Sequence, residues 1–307
     1  MIPYTFAMNL RRLEYFIVVA EEESMRSAAR RLHISAPSLS QQIKVLEQEV
    51  GGELLERLPR GIRLTSAGRA LLPEARAAVL SAQSSARSAR AALDLETAQL
   101  EIATVFSLAV GLLPQAIQRL RRQHPGISIR LYEYRHREAL MAAVGSGIAD
   151  VGVGPLPHDE RISSVLLGHE SFVAIVGRDH PSYLSPQGIA IETLRDDEWV
   201  MFPAGHGLGD LARSICGRAG FVPRDAVFTD QADAAVRLAA AGLGVAIVPE
   251  NIVPGSLRRH MLPLDPPIYR PLAVFTRGTW SPQAEAFRDA LQAVEWIEVP
   301  ANAIIEN

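Results

Sequence analysis

The chain has 307 residues, a formal net charge of −3 and a hydrophobic content of 48%. This length allows more than one domain and a sizeable core, while the near-neutral charge excludes a chain that is basic along its whole length. A single cysteine, Cys216, excludes an intrachain disulfide and predicts a reducing compartment. Neither a signal peptide nor a run of about 18 apolar residues is found, so we expect a cytoplasmic protein.

The first predicted element is a helix at Leu10–Glu22, and two shorter helices follow it. Ser24 and Ser35 each stand where a helix N-cap belongs, just before an apolar-periodic run. They predict one helix over about Met25–Leu32 and, after a tight turn, a second helix that begins at Ala36. This arrangement is typical of a helix-turn-helix.

The second helix of this pair has one apolar face and one polar face. Its apolar stripe recurs every three or four residues: Leu39, Ile43, Leu46 and Val50. Its outer face carries amide, hydroxyl and ammonium groups on or beside one stripe: Pro37, Ser38, Ser40, Gln41, Lys44 and Gln48. Such groups suit base edges and phosphates in a major groove. An ordinary amphipathic surface helix is the alternative interpretation.

Residues 54–65 predict two short strands around a turn at 59–61, which indicates a wing after the helix-turn-helix. Basic residues are segregated from acids in this region, and two such patches fit a surface that follows phosphates. Solvated arginines are the alternative. The predicted DNA-binding residues are Arg26, Arg30, Arg31, Ser35, Ala36, Pro37, Ser38, Ser40, Gln41, Lys44, Arg60 and Arg63.

A long alanine-rich helix is predicted next, at about residues 66–95, with Thr65 as its cap. Twenty-eight residues of helix would span about 42 Å. A helix of this length with a narrow stripe of small residues has little of its own domain to pack on. We therefore predict that it pairs with the same helix of a second copy, with a surface linker helix as the alternative.

From Gln99 onward, predicted strands alternate with predicted helices, which indicates a mostly parallel sheet covered by helices. Two sets of such elements each contain a short apolar strand that runs into proline, at residues 150–155 and 244–249. We expect two α/β lobes with a cleft between them. The chain would cross between the lobes near Leu167–Glu170 and near Ile268–Ala273.

At this point the chain resembles the LysR-type transcriptional regulators, from Leu10 to about Trp296. The resemblance is carried by LRRLEYFIVVAEEESMRSAARRLHIS, LEQEVGGELLER, RLTSAGRALL, LLPQAIQRLRRQHPGI, GIADVGVGP and AAGLGVAIVPE. Within the family, FSLAVGLLP and RLYEYR are most similar to regulators of aromatic-compound catabolism.

The resemblance implies an α/β multidomain chain with a winged helix-turn-helix, a long linker helix and a two-lobed effector domain like a periplasmic binding protein. It implies a homodimer or homotetramer that binds double-stranded promoter DNA and a small-molecule effector, with RNA polymerase as a candidate partner and no membrane. The expected domains are residues 9–66 for DNA binding, 67–96 for the linker and 97–301 for the effector, with lobe 1 at about 97–168 and 272–301 and lobe 2 at about 169–271.

Two positions of the second helix depart from the family pattern. Relatives usually carry glutamine where this chain has Ala36, and often arginine where it has Gln41. Glutamine can pair bidentately with adenine, whereas alanine can only touch a thymine methyl group or the backbone. We therefore expect base reading to shift toward Ser40 and Gln41.

Ligands of two-lobed α/β proteins bind outside the carboxyl ends of strands. Ser107 and the loop at 205–207 precede predicted helices, whose N-termini favour anions. Arg135–Arg137 add positive charge at a third strand end, although they equally fit a cluster that balances neighbouring acids. A small carboxylate is the expected effector. The predicted effector-binding residues are Ser107, Leu108, Arg135, His136, Gly154, Pro155, Pro203, Gly205, His206, Asp230, Gln231 and Pro249.

The sequence contains no G-x-S-x-G, H-E-x-x-H or P-loop motif, and its histidines lack metal-ligand spacing. We therefore expect no enzyme, no cofactor and no metal, and we interpret Cys216 as a buried small hydrophobe. The predicted function is a sequence-specific, effector-modulated transcription regulator. The alternative is a cytoplasmic solute-binding module without a regulatory role, which would leave residues 10–66 unexplained.

Overall fold

The computed structural model describes residues 8–58, 61–93, 99–159, 162–183 and 188–306. These residues fall into two compact units, an N-terminal unit through Ala86 and a C-terminal unit that holds most of the rest. The N-terminal unit has one hydrophobic core. The C-terminal unit has two cores, one in each of its lobes.

The N-terminal unit is a three-helix bundle followed by a hairpin and the start of a long helix. Its elements are α1 (Leu10–Glu22), α2 (Met25–Arg31), α3 (Ala36–Val50), β1 (Leu55–Arg57), β2 (Ile62–Leu64) and α4 (Ser66–Leu93). Both predicted caps are confirmed: Ser24 Oγ accepts from the N–H of Ser27, and Ser35 Oγ accepts from the N–H of Ser38. β1 and β2 pair antiparallel as the predicted wing.

The apolar stripe of α3 packs into the N-terminal core. Leu39, Ile43 and Leu46 are buried there with Phe16 of α1. Val50, which was predicted to continue the stripe, is instead 38% exposed. The prediction is wrong because Val50 is the last residue of α3, directly before the Gly51 C-cap, whose φ of 82° ends the helix.

The C-terminal unit begins with β3 (Gln99–Val105), α5 (Phe106–Gly111), α6 (Leu113–Gln123), β4 (Ser128–Tyr134), α7 (Arg137–Gly145) and β5 (Val151–Pro155). Next come β6 (Ser163–Ile175), β7 (Ile189–Ala190), β8 (Glu198–Met201), α8 (Gly207–Arg218), β9 (Arg224–Phe228), α9 (Ala232–Ala240) and β10 (Ala246–Pro249). The last elements are β11 (Met261–Thr276), α10 (Pro282–Gln292) and β12 (Ile304–Ile305). Short 3₁₀ turns lie at Ile191–Leu194, Glu250–Ile252 and Gly255–His260.

The main sheet has the strand order β10-β6-β11-β5-β3-β4, with β7 and β12 also paired to β11. β3 runs parallel to β4 and β5, and β8 runs parallel to β9. The longest pairing, between β6 and β11, is antiparallel. The sheet is therefore more mixed than the alternation of strands and helices predicted.

β6 and β11 carry the chain between the two lobes. Phe172 of β6 and Ile268 of β11 belong to the core of lobe 2, whereas Leu272 and Val274 of β11 belong to the core of lobe 1. Both strands contain the predicted crossings near Leu167–Glu170 and Ile268–Ala273 but begin well before them, at Ser163 and Met261. Charged residues and prolines inside these strands hide the apolar pattern.

A polar helix face and an interlobe cavity

The outer face of α3 is exposed and free of acidic side chains. Pro37, Ser38, Gln41 and Lys44 are all exposed on it. Glu47, the acid at its edge, is turned away because its Oε1 accepts from the N–H groups of Leu54 and Leu55, at 2.9 and 3.2 Å. The carboxylate of Glu47, which would repel phosphate, instead accepts hydrogen bonds from the backbone that follows α3.

The predicted phosphate-binding arginines differ in their surroundings. Arg31 forms ion pairs with Glu21 at 3.0 Å and Glu22 at 3.1 Å, and these contacts raise the pKa of its guanidinium, with the hydrogen bond to Glu22 as the largest cause. Arg63 pairs with Glu56 at 2.7 Å across the wing. The sequence did not predict these ion pairs, because their acids come from other elements. Exposed pairs of this kind contribute little to stability and can exchange partners. Arg26 and Arg30 are also exposed, and Arg60 lies outside the described residues.

A cavity of about 420 Å³ lies between the two lobes of the C-terminal unit, at the carboxyl ends of β3, β4, β5 and β9. Its walls include the start of α5, the start of α8 and part of β11. Seven of the predicted effector-binding residues line it: Ser107, Arg135, His136, Pro155, His206, Asp230 and Gln231.

Five predicted effector-binding residues are not among the described lining of this cavity: Leu108, Gly154, Pro203, Gly205 and Pro249. Leu108 is fully buried in the core of lobe 1. A Cβ at Gly154 would lie 2.4 Å from a methyl carbon of Leu140, so this glycine permits close packing of a helix on β5. Pro249 pairs with Phe172 at the end of β10. Leu108, Gly154 and Pro249 are therefore buried, whereas Pro203 is half-buried and Gly205 is exposed outside the cavity lining.

His206 lines the cavity as the N-cap of α8. Its Nδ1 accepts from the N–H of Leu208 at 3.2 Å, and its ring stacks on Phe202 with 4.7 Å between centroids. Burial lowers the pKa of His206, opposed by a hydrogen bond and the charge of Asp230. The imidazole is therefore neutral at pH 7, and Nε2 carries its proton.

Arg135 links the two lobes. Its side chain is 68% exposed and reaches Asp230 of lobe 2 at 3.3 Å. Its carbonyl oxygen accepts from the N–H of Gly207 at 3.0 Å. The next residue, His136, accepts from the N–H of Ala139 through Nδ1 at 3.3 Å and so caps α7. Arg135 and His136 are thus already engaged in structural contacts.

Among the charged residues that line the cavity, sequence reasoning missed Arg270 of β11 and Glu306 near the C-terminus. Arg270 is buried, with 7% of its surface exposed, and binds Glu170 of β6. Glu306 forms an ion pair with Arg218 of α8. For Arg270 the available signal was an arginine inside an otherwise apolar strand segment, where only a paired charge is expected.

The charged residues that line the cavity differ in how far they are exposed. The described lining includes five acids and three arginines: Glu133, Glu138, Asp210, Asp230 and Glu306, against Arg135, Arg137 and Arg270. Four of the acids are exposed, and solvent and salt screen them. Arg270 is buried. The exposed part of the lining therefore holds four acids and Arg135, while Arg270 offers a buried guanidinium.

Two family models match this chain. The model for the "Bacterial regulatory helix-turn-helix protein, lysR family" matches residues 10–69, and the model for the "LysR substrate binding domain" matches residues 94–296. The chain belongs to the LysR family.

Individual members of the family are similar to this chain in sequence and in structure. The HTH-type transcriptional regulator ClcR of Pseudomonas putida is 32% identical over 249 residues, which cover 80% of this chain and 84% of ClcR. A full-length variant of OxyR from Pseudomonas aeruginosa has a TM-score of 0.70 and 25% identity, with 93% of this chain and 95% of that chain covered. Full-length CbnR complexed with its target DNA has a TM-score of 0.67 and 27% identity, with 93% and 99% covered.

The predicted family and fold class are confirmed, and so is a DNA-binding regulator with an effector domain. The alternative of a solute-binding module without a regulatory role is not supported, because the helix-turn-helix model matches the N-terminal residues. Within the described residues, no helix is both long and apolar enough to cross a bilayer. No group of three or more potential metal ligands occurs among those same residues. Cys216 is fully buried, as expected, and burial raises the pKa of its thiol to about 12.

Proposed function

We propose that this LysR-family regulator reads promoter DNA with the outer face of α3, and that a small carboxylate bound in the interlobe cavity modulates that binding. The observation that carries the proposal is the exposed, acid-free face of α3, from which Glu47 is withdrawn by its backbone contacts. The relative CbnR, whose full-length structure was solved in complex with its target DNA, supports the proposal.

The roles of the DNA-binding residues follow from their chemistry. Ser38, Ser40 and Gln41 offer hydrogen bonds to base edges, and Ala36 and Pro37 offer apolar contact to thymine methyl groups. Lys44 provides a cation, and it has no ion-pair partner among the residues that the structure describes. Phosphate contacts come from the arginines of α2 and the wing: Arg26, Arg30, Arg31, Arg60 and Arg63. Ser35 fixes the start of α3 as its cap.

The start of α5 supports an anionic effector. Ser107 in the first turn of α5 lines the cavity with only 3% of its surface exposed. Its hydroxyl can donate to a carboxylate oxygen. α7, α8 and α9 each carry an acid in their first turn, whereas α5 carries none that would repel such a group.

The long helix α4 supports self-association into a homodimer or homotetramer. Ala75 and Val79 pack into the N-terminal core. Further along, Ala86 and Ala89 are exposed, so this stretch presents small side chains that a second copy could cover. We further propose a cytoplasmic regulator without enzymatic activity, with RNA polymerase as a candidate partner.

Selection of binding sites from random duplex DNA by the purified full-length protein tests DNA reading. An interrupted palindrome should be enriched, because a two-fold symmetric dimer reads two half-sites. The affinity for DNA should fall steeply as the salt concentration rises. Arg63→Gln should weaken binding to all DNA sequences similarly and should reduce the slope of log affinity against log salt concentration by about 1. A selected pool with no sequence preference at moderate salt would contradict the proposal.

A further inference from the structure

A buried ion pair joins the two strands that carry the chain between the lobes. Arg270 of β11 lies directly opposite Glu170 of β6 in the strand register. Only 7% of Arg270 and 4% of Glu170 are exposed. The guanidinium also lies over the ring of Phe172, 5.2 Å from its centroid. Its position is therefore held from two sides.

The pair uses only one edge of the guanidinium. Nε of Arg270 donates to Oε1 of Glu170 at 2.8 Å, and Nη2 donates to the same oxygen. No described residue accepts a hydrogen bond from Nη1, whereas Oε2 of Glu170 is buried without a partner. The pair uses two of the five N–H donors of the guanidinium, so the end that carries Nη1 can donate to an acceptor outside the pair.

Arg270 lines the cavity, so a bound molecule can supply an acceptor for this end of the guanidinium. The other two arginines of the described lining are less buried, and Arg135 is already paired with Asp230. Nη1 and Nη2 form the end-on edge of the guanidinium, which matches the two oxygens of a carboxylate. A neutral amide offers this edge one oxygen instead of two.

We propose that Arg270, rather than the predicted Arg135, binds the carboxylate of the effector through Nη1 and Nη2. This inference rests on the proposed function, because it assigns the ligand group and its receptor within the same cavity. Glu170 occupies the opposite edge and holds the guanidinium in place. Since β6 and β11 connect the lobes, a ligand bound to Arg270 contacts the crossing strands themselves.

Binding of matched carboxylates and amides to the full-length protein tests this assignment. The probes are benzoate, phthalate and succinate, each compared with its neutral amide by calorimetric titration. The wild-type protein should bind at least one carboxylate more tightly than its amide. Arg270→Gln should weaken the binding of that carboxylate by about tenfold to a hundredfold and leave the affinity for the amide unchanged.

Two further variants control for folding and for general charge. Arg270→Gln leaves Glu170 buried without its partner, so the double variant Arg270→Gln with Glu170→Gln removes both charges and should show the same loss in a folded protein. Arg237→Gln removes an arginine that is paired with Asp233 in an exposed ion pair, and neither residue is among the described lining of the cavity. It should bind every probe as the wild type does.

A folded Arg270→Gln or double variant that binds the carboxylate within about twofold of the wild type would overturn the assignment. So would a wild-type protein that binds none of the carboxylates more tightly than its amide. Selection of DNA sites separates these results from failure of the proposed function. If the protein selects a palindrome but its carboxylate binding does not depend on Arg270, the proposed DNA-binding role stands and only the assignment of Arg270 fails.

Discussion

Gln41 and Lys44 lie on the same exposed face of α3 but distinguish DNA in different ways. The amide of Gln41 has a donor and an acceptor, so it can match the pattern of one base edge. The ammonium of Lys44 is attracted to any phosphate or to any acceptor nearby. Sequence preference should therefore depend on Gln41, and total affinity on Lys44.

Gln41→Ala should reduce discrimination at one base pair of each half-site by about 1–3 kcal/mol. Lys44→Ala serves as the matched control. It should weaken binding to all DNA sequences similarly and lower the slope of log affinity against log salt concentration by about 1. Fluorescence anisotropy with the selected site and its single-base variants, at several salt concentrations, measures both effects. Equal loss of preference in both variants would contradict this division of roles.

His206 should make stability depend on pH. Burial lowers its pKa from the ordinary value of 6.5, so at mildly acidic pH the unfolded chain binds a proton that the folded chain does not. Its contribution is therefore complete above that ordinary value and is lost as the pH falls below it. His206→Asn retains an N-cap oxygen for α8 but cannot titrate.

Melting temperatures of the wild type and His206→Asn, compared from about pH 8 to about pH 5, measure this contribution. The wild type should lose more stability than the variant on acidification. The difference between the two proteins cancels the effect of the other histidines. Parallel curves would show that His206 does not carry the pH dependence.

At the scale of elements, capped and periodic segments were predictable from the sequence. α1 has the predicted bounds, Leu10–Glu22, because it combines clear periodicity with polar residues at both ends. α5 was missed, since its N-cap Val105 has no capping side chain and its residues FSLAVG are apolar almost throughout. Tertiary packing rather than local sequence determines such a short helix.

The sequence predicted the site residues that follow strand ends. It did not predict the site residue whose position depends on the pairing of β11 with β6. Ser107 and His206 lie after the end of a strand, in or just before the first turn of the next helix, so the general rule for α/β proteins found them. Arg270 lies inside β11, and its orientation toward the cavity depends on its register opposite Glu170. No local pattern specifies that register across about a hundred residues of intervening chain.

The cap of α3 gives a prediction at this scale. Ser35→Ala should lower the free energy of unfolding of the N-terminal unit by about 1 kcal/mol, because the N–H of Ser38 loses its acceptor. Ser35→Asp should retain the cap and the stability. Its negative charge at the start of α3 should nevertheless weaken DNA binding.

Calorimetric unfolding and DNA-binding titrations of these two variants separate the roles of Ser35. The expected pattern is a less stable Ser35→Ala and a stable Ser35→Asp with reduced affinity for every DNA sequence. Normal DNA affinity in Ser35→Asp would show that the start of α3 does not approach phosphate.

At the scale of the whole molecule, the DNA-reading face and the cavity belong to different units of one chain. A regulator requires that a ligand in the cavity changes the affinity for DNA. Thermodynamic linkage makes this coupling reciprocal, so DNA must change the affinity for the ligand by the same factor. Coupling energies of this kind are typically about 1–3 kcal/mol, or roughly 5-fold to 150-fold.

The most direct test of a ligand-responsive DNA-binding regulator is to measure both sides of this linkage with the selected DNA site. Affinity for DNA is titrated with and without the tightest-binding carboxylate, and affinity for the carboxylate is titrated with and without DNA. The two factors should agree, should be at least about 5, and should fall to 1 in Arg270→Gln. A carboxylate that fills the cavity and leaves DNA affinity unchanged would contradict the account.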